Sequence, residues 1–396
     1  MKKIFFSLTI ILLLSFLFNQ DKLRFSADTA QSSKNDNILT KVFKDNVKIE
    51  DGEMTLYTDL AIEYPDLNKV ILTGNVRMYE YNDSLSCNEF TLYKGDNERY
   101  QAYGDVILYK QEKEIKAQKL IYFNESNEIN ATNNVTIQDS SILISGDSLY
   151  INYKDSLINK ILIKSNAELF NSQYFYLRDY NEKKLLQDKM ESNNVVIDFN
   201  DNEEIDLVTL SGMAIGDFTV VKDSLIKGIN HISGDTILIK FYDDLVSDMN
   251  ISGGVIGEFF PDKSNKNVKN KILYIADNVN YDLNNEITLL TDNAKVIYGE
   301  TTLEGGEIEA DLKNNIVESK IKDSVLPSVS TNDGEPTYGE YMLFDLVTEE
   351  GNINKGYNTV DIGIFKGEEF IIDYNEDVYI QNGTFTSCDL PVPHYH

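Results

Sequence analysis

The side chains with the most reactive chemistry are few, and their spacing matches no catalytic arrangement. His231 lies on an alternating Asn-His-Ile-Ser stretch without a nucleophile motif, although a Ser-His-Asp arrangement would have to depend on it. Cys388, His394 and His396 carry zinc-binding atoms, but two histidines one residue apart are weak evidence for a site. Residues 198–202 begin like a calcium loop and lack its Gly and closing Glu, which favours a turn. We predict no enzyme activity, no metal and no cofactor.

The two cysteines, Cys87 and Cys388, allow one disulfide bond at most within the chain. An exported protein meets oxidising conditions, so a single bridge is conceivable. Cys87 occupies a position that other copies of a sequence repeat fill with Ala or Gly. We therefore interpret Cys87 as a small packing residue and Cys388 as the reactive thiol.

The apolar side chains have a regular spacing, and their chemistry is that of a surface that packs or binds hydrocarbon. One half of the repeat reads small, polar, x, apolar, x, apolar. It occurs at residues 87–92, 117–122, 146–151, 234–239, 276–281 and 339–344, with a weaker copy at 305–310. This period of two predicts strands with one apolar face.

The other half of the repeat carries an interruption of the type Gly-Asn, Gly-Asp or Asn-Asn. It reads apolar, x, Gly or Asn, polar, Val or Ala, x, apolar. Its copies are residues 72–78, 102–108, 131–137, 163–169 and 289–296. Gly and Asn tolerate positive φ, so the interruption predicts a bulge or sharp bend in the middle of a strand.

Together the two halves predict an all-β fold of about thirty-residue, two-strand units, each with a corner. Short polar turns favour a long antiparallel sheet creased along its length over a parallel β-helix. The pattern weakens at 171–207, which we interpret as an inserted loop or short helix that could mark a sub-module boundary. Residues 21–40 are rich in Ser, Asp, Asn and Lys and are predicted to be flexible. The folded domain is expected at 41–385.

Charge and the N-terminus limit the cellular setting. Residues 1–20 have a basic start and a short apolar run, which predicts an export signal peptide. The net charge of −29 becomes −31 without Lys2 and Lys3. Such a surface repels nucleic acid, so we predict no nucleic-acid partner. Acidity keeps an exported protein soluble, and it does not attract an anionic lipid.

The repeats at 72–92 and 102–122, together with residues 338–353 and the closing Asn-Gly-Thr-Phe-Thr-Ser-Cys-Asp-Leu-Pro of 382–391, resemble lipopolysaccharide-assembly proteins of the LptD (OstA) family. The repeats are also similar to the periplasmic bridge protein LptA. The resemblance covers residues 50 to 396. It implies a V-shaped antiparallel β-jelly roll in the periplasm, associated with the outer membrane.

In that family the domain takes lipopolysaccharide from an LptA-like bridge, joined by strand addition, and feeds it to a transmembrane barrel. The resemblance implies that residues 386–396 are the junction to a barrel that this chain lacks, so a barrel-containing partner is expected. Cys388 matches the family's cysteine that pairs with a cysteine in the barrel. It is therefore our candidate for an intermolecular disulfide.

The functional hypothesis is a non-enzymatic lipid-transfer module with an apolar groove. Full enclosure of several acyl chains, at about 0.8 kcal/mol per methylene, would exceed the roughly −20 kcal/mol limit of non-covalent affinity, so a partly open groove is expected. The candidate lining residues are Val76, Met78, Phe90, Leu92, Val106, Leu108, Leu120, Tyr122, Val135, Ile137, Leu149 and Ile151. The alternatives are a structural or adhesive β-solenoid surface protein and a glycan-cleaving β-helix.

Overall fold

The alternation of apolar and polar residues produces strands in most of the described part of the chain. The computed structural model describes residues 23–35, 38–95, 97–110, 112–155, 157–178, 182–242, 245–266, 268–332, 334–374 and 377–387. These residues contain β-strands, one 3-10 turn at Pro65–Leu67 and no α-helix, so none of them forms a helix able to cross a bilayer. The predicted signal peptide and the Cys388 junction lie outside the described residues.

The chain divides into two compact units, Met1–Asp139 and Ser140–His396. The described residues of the first unit form nine strands. They are β1 Arg24–Ser26, β2 Thr29–Asn35, β3 Ile38–Asp51, β4 Met54–Tyr64, β5 Lys69–Glu80, β6 Asp83–Tyr93, β7 Arg99–Lys110, β8 Lys113–Phe123 and β9 Glu128–Gln138. From β3 to β9 each strand pairs antiparallel with the next, and β1 and β2 both pair with β3.

The second unit continues the same pattern with strands of more varied length. They are β10 Ile142–Lys154, β11 Leu157–Leu177, β12 Glu182–Phe199, β13 Ile205–Lys222, β14 Leu225–Tyr242, β15 Leu245–Pro261, β16 Ile272–Asp282, β17 Ile287–Tyr298, β18 Thr301–Asp311, β19 Ile316–Lys320, β20 Ser328–Thr331, β21 Thr337–Tyr338, β22 Tyr341–Asp345, β23 Gly351–Val360, β24 Gly363–Ile372, β25 Val378–Gln381 and β26 Thr384–Thr386. Strands β10 to β18 pair antiparallel in order. After β18 a long strand is often replaced by two short ones, since β19 and β20 both pair with β18.

This pairing confirms the predicted all-β antiparallel sheet and its repeat. Within each unit all the pairs between described strands are antiparallel, which is incompatible with a parallel β-helix. Strands β3, β5, β7 and β9 begin at residues 38, 69, 99 and 128, so a two-strand unit recurs about every thirty residues. The fold is that expected of a β-jelly roll of the LptA type.

The predicted corners are also confirmed. Gly74 and Asn75 both have positive φ, and the register passes from Thr73 opposite Glu89 to Val76 opposite Cys87. Two residues of β5 therefore oppose one of β6, which is a β-bulge. Gly104 and Asp105, Asn133 and Asn134, and Asp292 and Asn293 repeat the same arrangement.

Two adjacent glycines allow a test of what the corner requires. Gly253 has φ +86°, and a Cβ there would lie 2.5 Å from the Asp235 side chain, whereas Gly254 has φ +71° and open space around it. We expect Gly254→Ala to lower the free energy of unfolding by about 1 kcal/mol, the backbone penalty alone. Gly253→Ala should cost more, because the same penalty adds to a clash. Urea unfolding of both variants measures the difference, and equal losses would contradict it.

Two segments differ from their sequence predictions. Residues 21–40 were predicted to be flexible, but the structure places β1, β2 and the start of β3 there. Residues 171–207 were predicted to hold a loop or short helix, but most of them extend β11 and β12 into a long hairpin. Their alternation is hidden because aromatic side chains point to both faces, as Tyr174 and Phe175 do.

Candidate functional site

The row of corners divides the sheet of the first unit into two halves. We define half A as residues 47–51, 54–57, 76–80, 83–86, 106–110, 113–116 and 135–138. We define half B as residues 38–44, 60–64, 69–73, 89–93, 99–103, 119–123 and 128–132. The apolar residues on one face of each half are buried.

A small cavity lies between the two halves. Its volume is about 40 Å³. Half A lines it with Met78, Leu85 and Leu108, and half B with Phe90, Tyr100, Ala102, Leu120, Tyr122 and Ile129. Since one cavity is lined from both sides of the corners, the apolar faces of the two halves face each other. The sheet of this unit is creased, and its interior is hydrocarbon-like.

Most of the candidate groove residues are packed against the protein itself. Eleven of the twelve are less than 9% exposed, and only Tyr122 is partly accessible. Five of them line the cavity, namely Met78, Phe90, Leu108, Leu120 and Tyr122. Leu149 and Ile151 belong to the second unit. This volume is well below the roughly 150 Å³ of an apolar cavity that holds one benzene molecule, so the cavity has no room for an acyl chain.

Three aromatic rings form a row on the half B side of the cavity. The ring centroids of Phe90 and Tyr100 are 5.9 Å apart, and those of Tyr100 and Tyr122 are 5.8 Å apart. The Tyr122 hydroxyl donates to Asn127 Oδ1 at 3.1 Å. Burial raises the pKa of both tyrosines, so they stay neutral at physiological pH. The row is an uncharged wall with apolar rings and polar hydroxyl tips, which suits contact with hydrocarbon.

Sequence reasoning missed Leu85, Tyr100, Ala102 and Ile129. The sequence did contain a signal for two of them. Tyr100 and Ala102 belong to the alternating apolar residues of β7, which continue beyond the corner to Val106. Ala102 pairs with Leu120, and Tyr100 pairs with Tyr122. The interruption by the corner hid this continuity.

Charged side chains surround the mouth of the cavity. Glu80, Asp83 and Lys110 lie at its rim, and Lys110 Nζ is 2.6 Å from Asp83 Oδ2. Among the described residues of this unit, one ion pair joins the two halves. Lys94, which follows half B, places Nζ 2.5 Å from Oδ2 of Asp51 at the end of half A. We call this contact the mouth ion pair.

The mouth ion pair is partly shielded from water. The Asp51 side chain is 6% exposed and that of Lys94 is 30% exposed. Burial lowers the pKa of Lys94, but the hydrogen bonds that it donates to Asp51 and Glu98, together with the charges of these carboxylates, raise it by more, so the net shift is upward. The lysine is therefore charged at any physiological pH. The contact joins the two halves through side chains rather than through a backbone ladder.

The part of the chain that contains this site matches a known protein family. The family model of the LptA/(LptD N-terminal domain) LPS transport protein matches residues 25–157. This part of the chain is therefore similar to the N-terminal domain of LptD and to LptA. No curated protein matched the chain.

The LptD/OstA-like domain also has a solved relative of low similarity. It is LptH, described as the LptA homologous periplasmic component of the lipopolysaccharide transport device from Pseudomonas aeruginosa. The two are 13% identical over 35% of this chain and 82% of that one, with a TM-score of 0.18. The family match indicates a role in lipopolysaccharide transport.

Beyond the LptD/OstA-like domain, the second unit contains a closed cycle of hydrogen bonds. Asn230 Nδ2 donates to the Tyr281 hydroxyl at 3.1 Å, and Tyr274 donates to Asn230 Oδ1 at 2.8 Å. The Tyr281 hydroxyl donates to that of Tyr274. Burial raises the pKa of Tyr281 to about 12, and that of Tyr274 also rises. The cycle satisfies all three polar groups, so it stabilises the interior.

Neither the LptD/OstA-like domain nor the second unit shows a catalytic constellation in its described residues. His231 Nδ1 pairs with Asp217, its neighbour across β13 and β14, on a partly exposed face. No group of three or more His, Cys, Asp or Glu side chains among the described residues could hold a metal. Asn200 Oδ1 accepts from the backbone N–H groups of Asn202 and Glu204, so this segment is a turn, as predicted.

Cys87 is a packing residue, as predicted. It is 6% exposed, and its Sγ donates to the Glu89 carbonyl at 3.2 Å. Burial raises the pKa of the thiol to about 12, so almost no reactive thiolate exists at neutral pH. The role of Cys388 stays a prediction.

Proposed function

We propose that this chain is a non-enzymatic lipid-transfer module of lipopolysaccharide export. It accepts acyl chains of lipopolysaccharide between halves A and B and passes the lipid towards the outer membrane. The observation that carries this proposal is the apolar interior lined from both halves, whose mouth is bridged by the Lys94 and Asp51 side chains. The family match supports it independently.

Loading requires the two halves to separate, because the interior is filled by the protein's own side chains. Separation breaks one ion pair at the mouth and bends the sheet at the corners, where Gly and Asn already hold positive φ. Each acyl methylene that enters is stabilised by about 0.8 kcal/mol. The protein's own packing is lost in exchange, which keeps the net affinity moderate. A lipid held in this way is released easily to the next binding site.

The first unit has an edge suited to strand addition. All seven residues of β2, Thr29–Asn35, are exposed, and β2 pairs within the unit only with β3. An exposed edge presents free backbone N–H and C=O groups to another strand. We propose that an LptA-like bridge protein adds here in the periplasm. A barrel-containing partner at the outer membrane receives the lipid, with Cys388 as the candidate for a disulfide to it.

The second candidate function is a structural or adhesive β-solenoid. Close packing favours it, since the cavity of about 40 Å³ is too small for an acyl chain. In that case the interior never opens, and the repeats only build a stiff scaffold.

Covalent capture of lipid from inside the sheet distinguishes the two functions. A photoreactive benzoylphenylalanine replaces Tyr122, whose ring lines the cavity, or Ile121, which points to the opposite face of β8. Purified protein is mixed with lipopolysaccharide and irradiated. The transfer module is expected to form a lipid adduct from position 122, and the scaffold none.

A further inference from the structure

The hydrogen-bonded ladder between β12 and β13 stops before either strand ends. Its last pair towards the β11–β12 tip is Lys189 with Asp217. Strand β12 continues to Glu182 and β13 to Lys222, but there each pairs only with its other neighbour, β11 or β14. Residues 182–188 and 218–222 therefore face each other without a ladder.

Both ends of this split are closed. At the inner end, the Asp188 side chain accepts a hydrogen bond from the Thr219 backbone N–H at 2.9 Å, in place of a ladder carbonyl. At the outer end, the Arg178 N–H donates to the Ser224 carbonyl at 2.9 Å and joins the two hairpin tips. The split is thus a window in the sheet. We call residues 182–188 and 218–222 the β12–β13 window.

The inner side of the window carries apolar residues beside Lys184 and Asp188, which share the face of Leu186 on β12. Leu186 shares the face of the buried Met190, and Phe218 and Val220 share the face of the buried Ala214. Val220 is 37% exposed, an unusual value for a valine on an inward face. Hydrocarbon side chains therefore lead from the outside towards the interior of the second unit.

The outer side combines aromatic and basic groups. Tyr174 and Leu185 are neighbours across β11 and β12 and are 71% and 49% exposed. On this face β12 carries Lys183 and Lys189, and Lys189 is paired with Glu168 and Glu191. Lys183 is exposed and forms no ion pair with any described residue. This surface fits an anionic group with an apolar tail.

We propose that the β12–β13 window is a lateral portal through which acyl chains of an anionic lipid enter or leave the second unit. Lys183 contacts the anionic head group outside, and the chains pass between Leu186 and Val220. The proposal rests on the lipid-transfer function and adds to it a route through the side of the sheet. A partner strand fits less well, because the contact between Arg178 and Ser224 closes the end along which an extended strand would have to continue.

Linking the two sides of the window tests the proposal. In a Cys388→Ser background, Leu186→Cys and Val220→Cys are joined by a short bismaleimide, since buried Cys87 does not react. A photoreactive residue replaces Phe259, which lies inside the second unit, and the rate of lipopolysaccharide adduct formation is measured there. Linking should lower this rate about tenfold, as expected when a gate is closed. The matched control joins Ser172→Cys to Gln187→Cys, where the ladder is continuous, and should not change the rate.

The outcomes separate the two proposals. If linking leaves the rate of adduct formation at position 259 unchanged, the portal proposal is wrong. Adduct formation at position 122 would still support lipid transfer by the first unit. No capture at either position overturns lipid transfer itself. Where the link does not form, a photoreactive residue at Leu186 should label the lipid and one at Gln187, on the opposite face, should not. A lipid-loaded protein that is unlabelled from Leu186 contradicts the portal.

Discussion

A covalent link across the mouth of the first unit is expected to abolish lipid uptake by that unit. Asp51→Cys and Lys94→Cys, joined by a short bismaleimide in a Cys388→Ser background, replace the mouth ion pair with a bond that cannot open. Because the cavity of about 40 Å³ is too small for an acyl chain, none enters while the halves stay together. With the photoreactive residue in place of Tyr122, the yield of lipopolysaccharide adduct should fall to less than about a tenth of that of the unlinked variant.

The control for this link lies within half A. Lys48→Cys and Tyr57→Cys, register partners on β3 and β4, take the same linker without joining the halves. Their capture should equal that of the unlinked protein. Full capture by the mouth-linked protein would show that lipid reaches Tyr122 without separation of the halves, and the opening mechanism would be wrong.

Leu120→Asp is expected to cause the largest loss of stability. Leu120 is 2% exposed and lines the cavity between Ala102 and Ala131, so a carboxylate there would be buried among apolar groups. The loss should exceed about 4 kcal/mol, the range of mutations that bury an unpaired charge. The midpoint of unfolding would move to a much lower urea concentration.

The neighbouring Ile121→Asp is the matched control for stability. Ile121 lies on the opposite, partly exposed face of β8, so its replacement should have a much smaller effect. Equal midpoints for the two variants would contradict the packed interior. Since Leu120→Asp unfolds the site, loss of lipid uptake in this variant carries no information about lipid contact. The linked and photoreactive variants avoid this problem.

The regular part of the fold was predictable from the sequence because it repeats. A period of two places Phe90 and Leu92 on one face, and the Gly-Asn pair at 74 and 75 supplies positive φ where the strand bends. Both features are local, since they depend on residues within one strand. The same reasoning placed Cys87 correctly in a small buried position.

The contacts that decide function could not be predicted in this way. Lys94 and Asp51 are 43 residues apart, and their pairing depends on how the two halves meet. The end of the ladder between β12 and β13 is a property of two strands together, and neither sequence alone signals it. The filling of the interior depends on side-chain volumes across the crease. Alternation identifies the apolar face and does not show whether that face leaves room for a lipid.

The most direct test of the account is the yield of lipopolysaccharide adduct from a photoreactive residue at 122 relative to one at 121. These positions are adjacent on β8, and their side chains point to opposite faces. We predict a saturable adduct at 122 that unlabelled lipopolysaccharide competes away, and little adduct at 121. Equal adducts at both positions, or none at 122, would contradict the claim that the interior of the sheet receives the lipid.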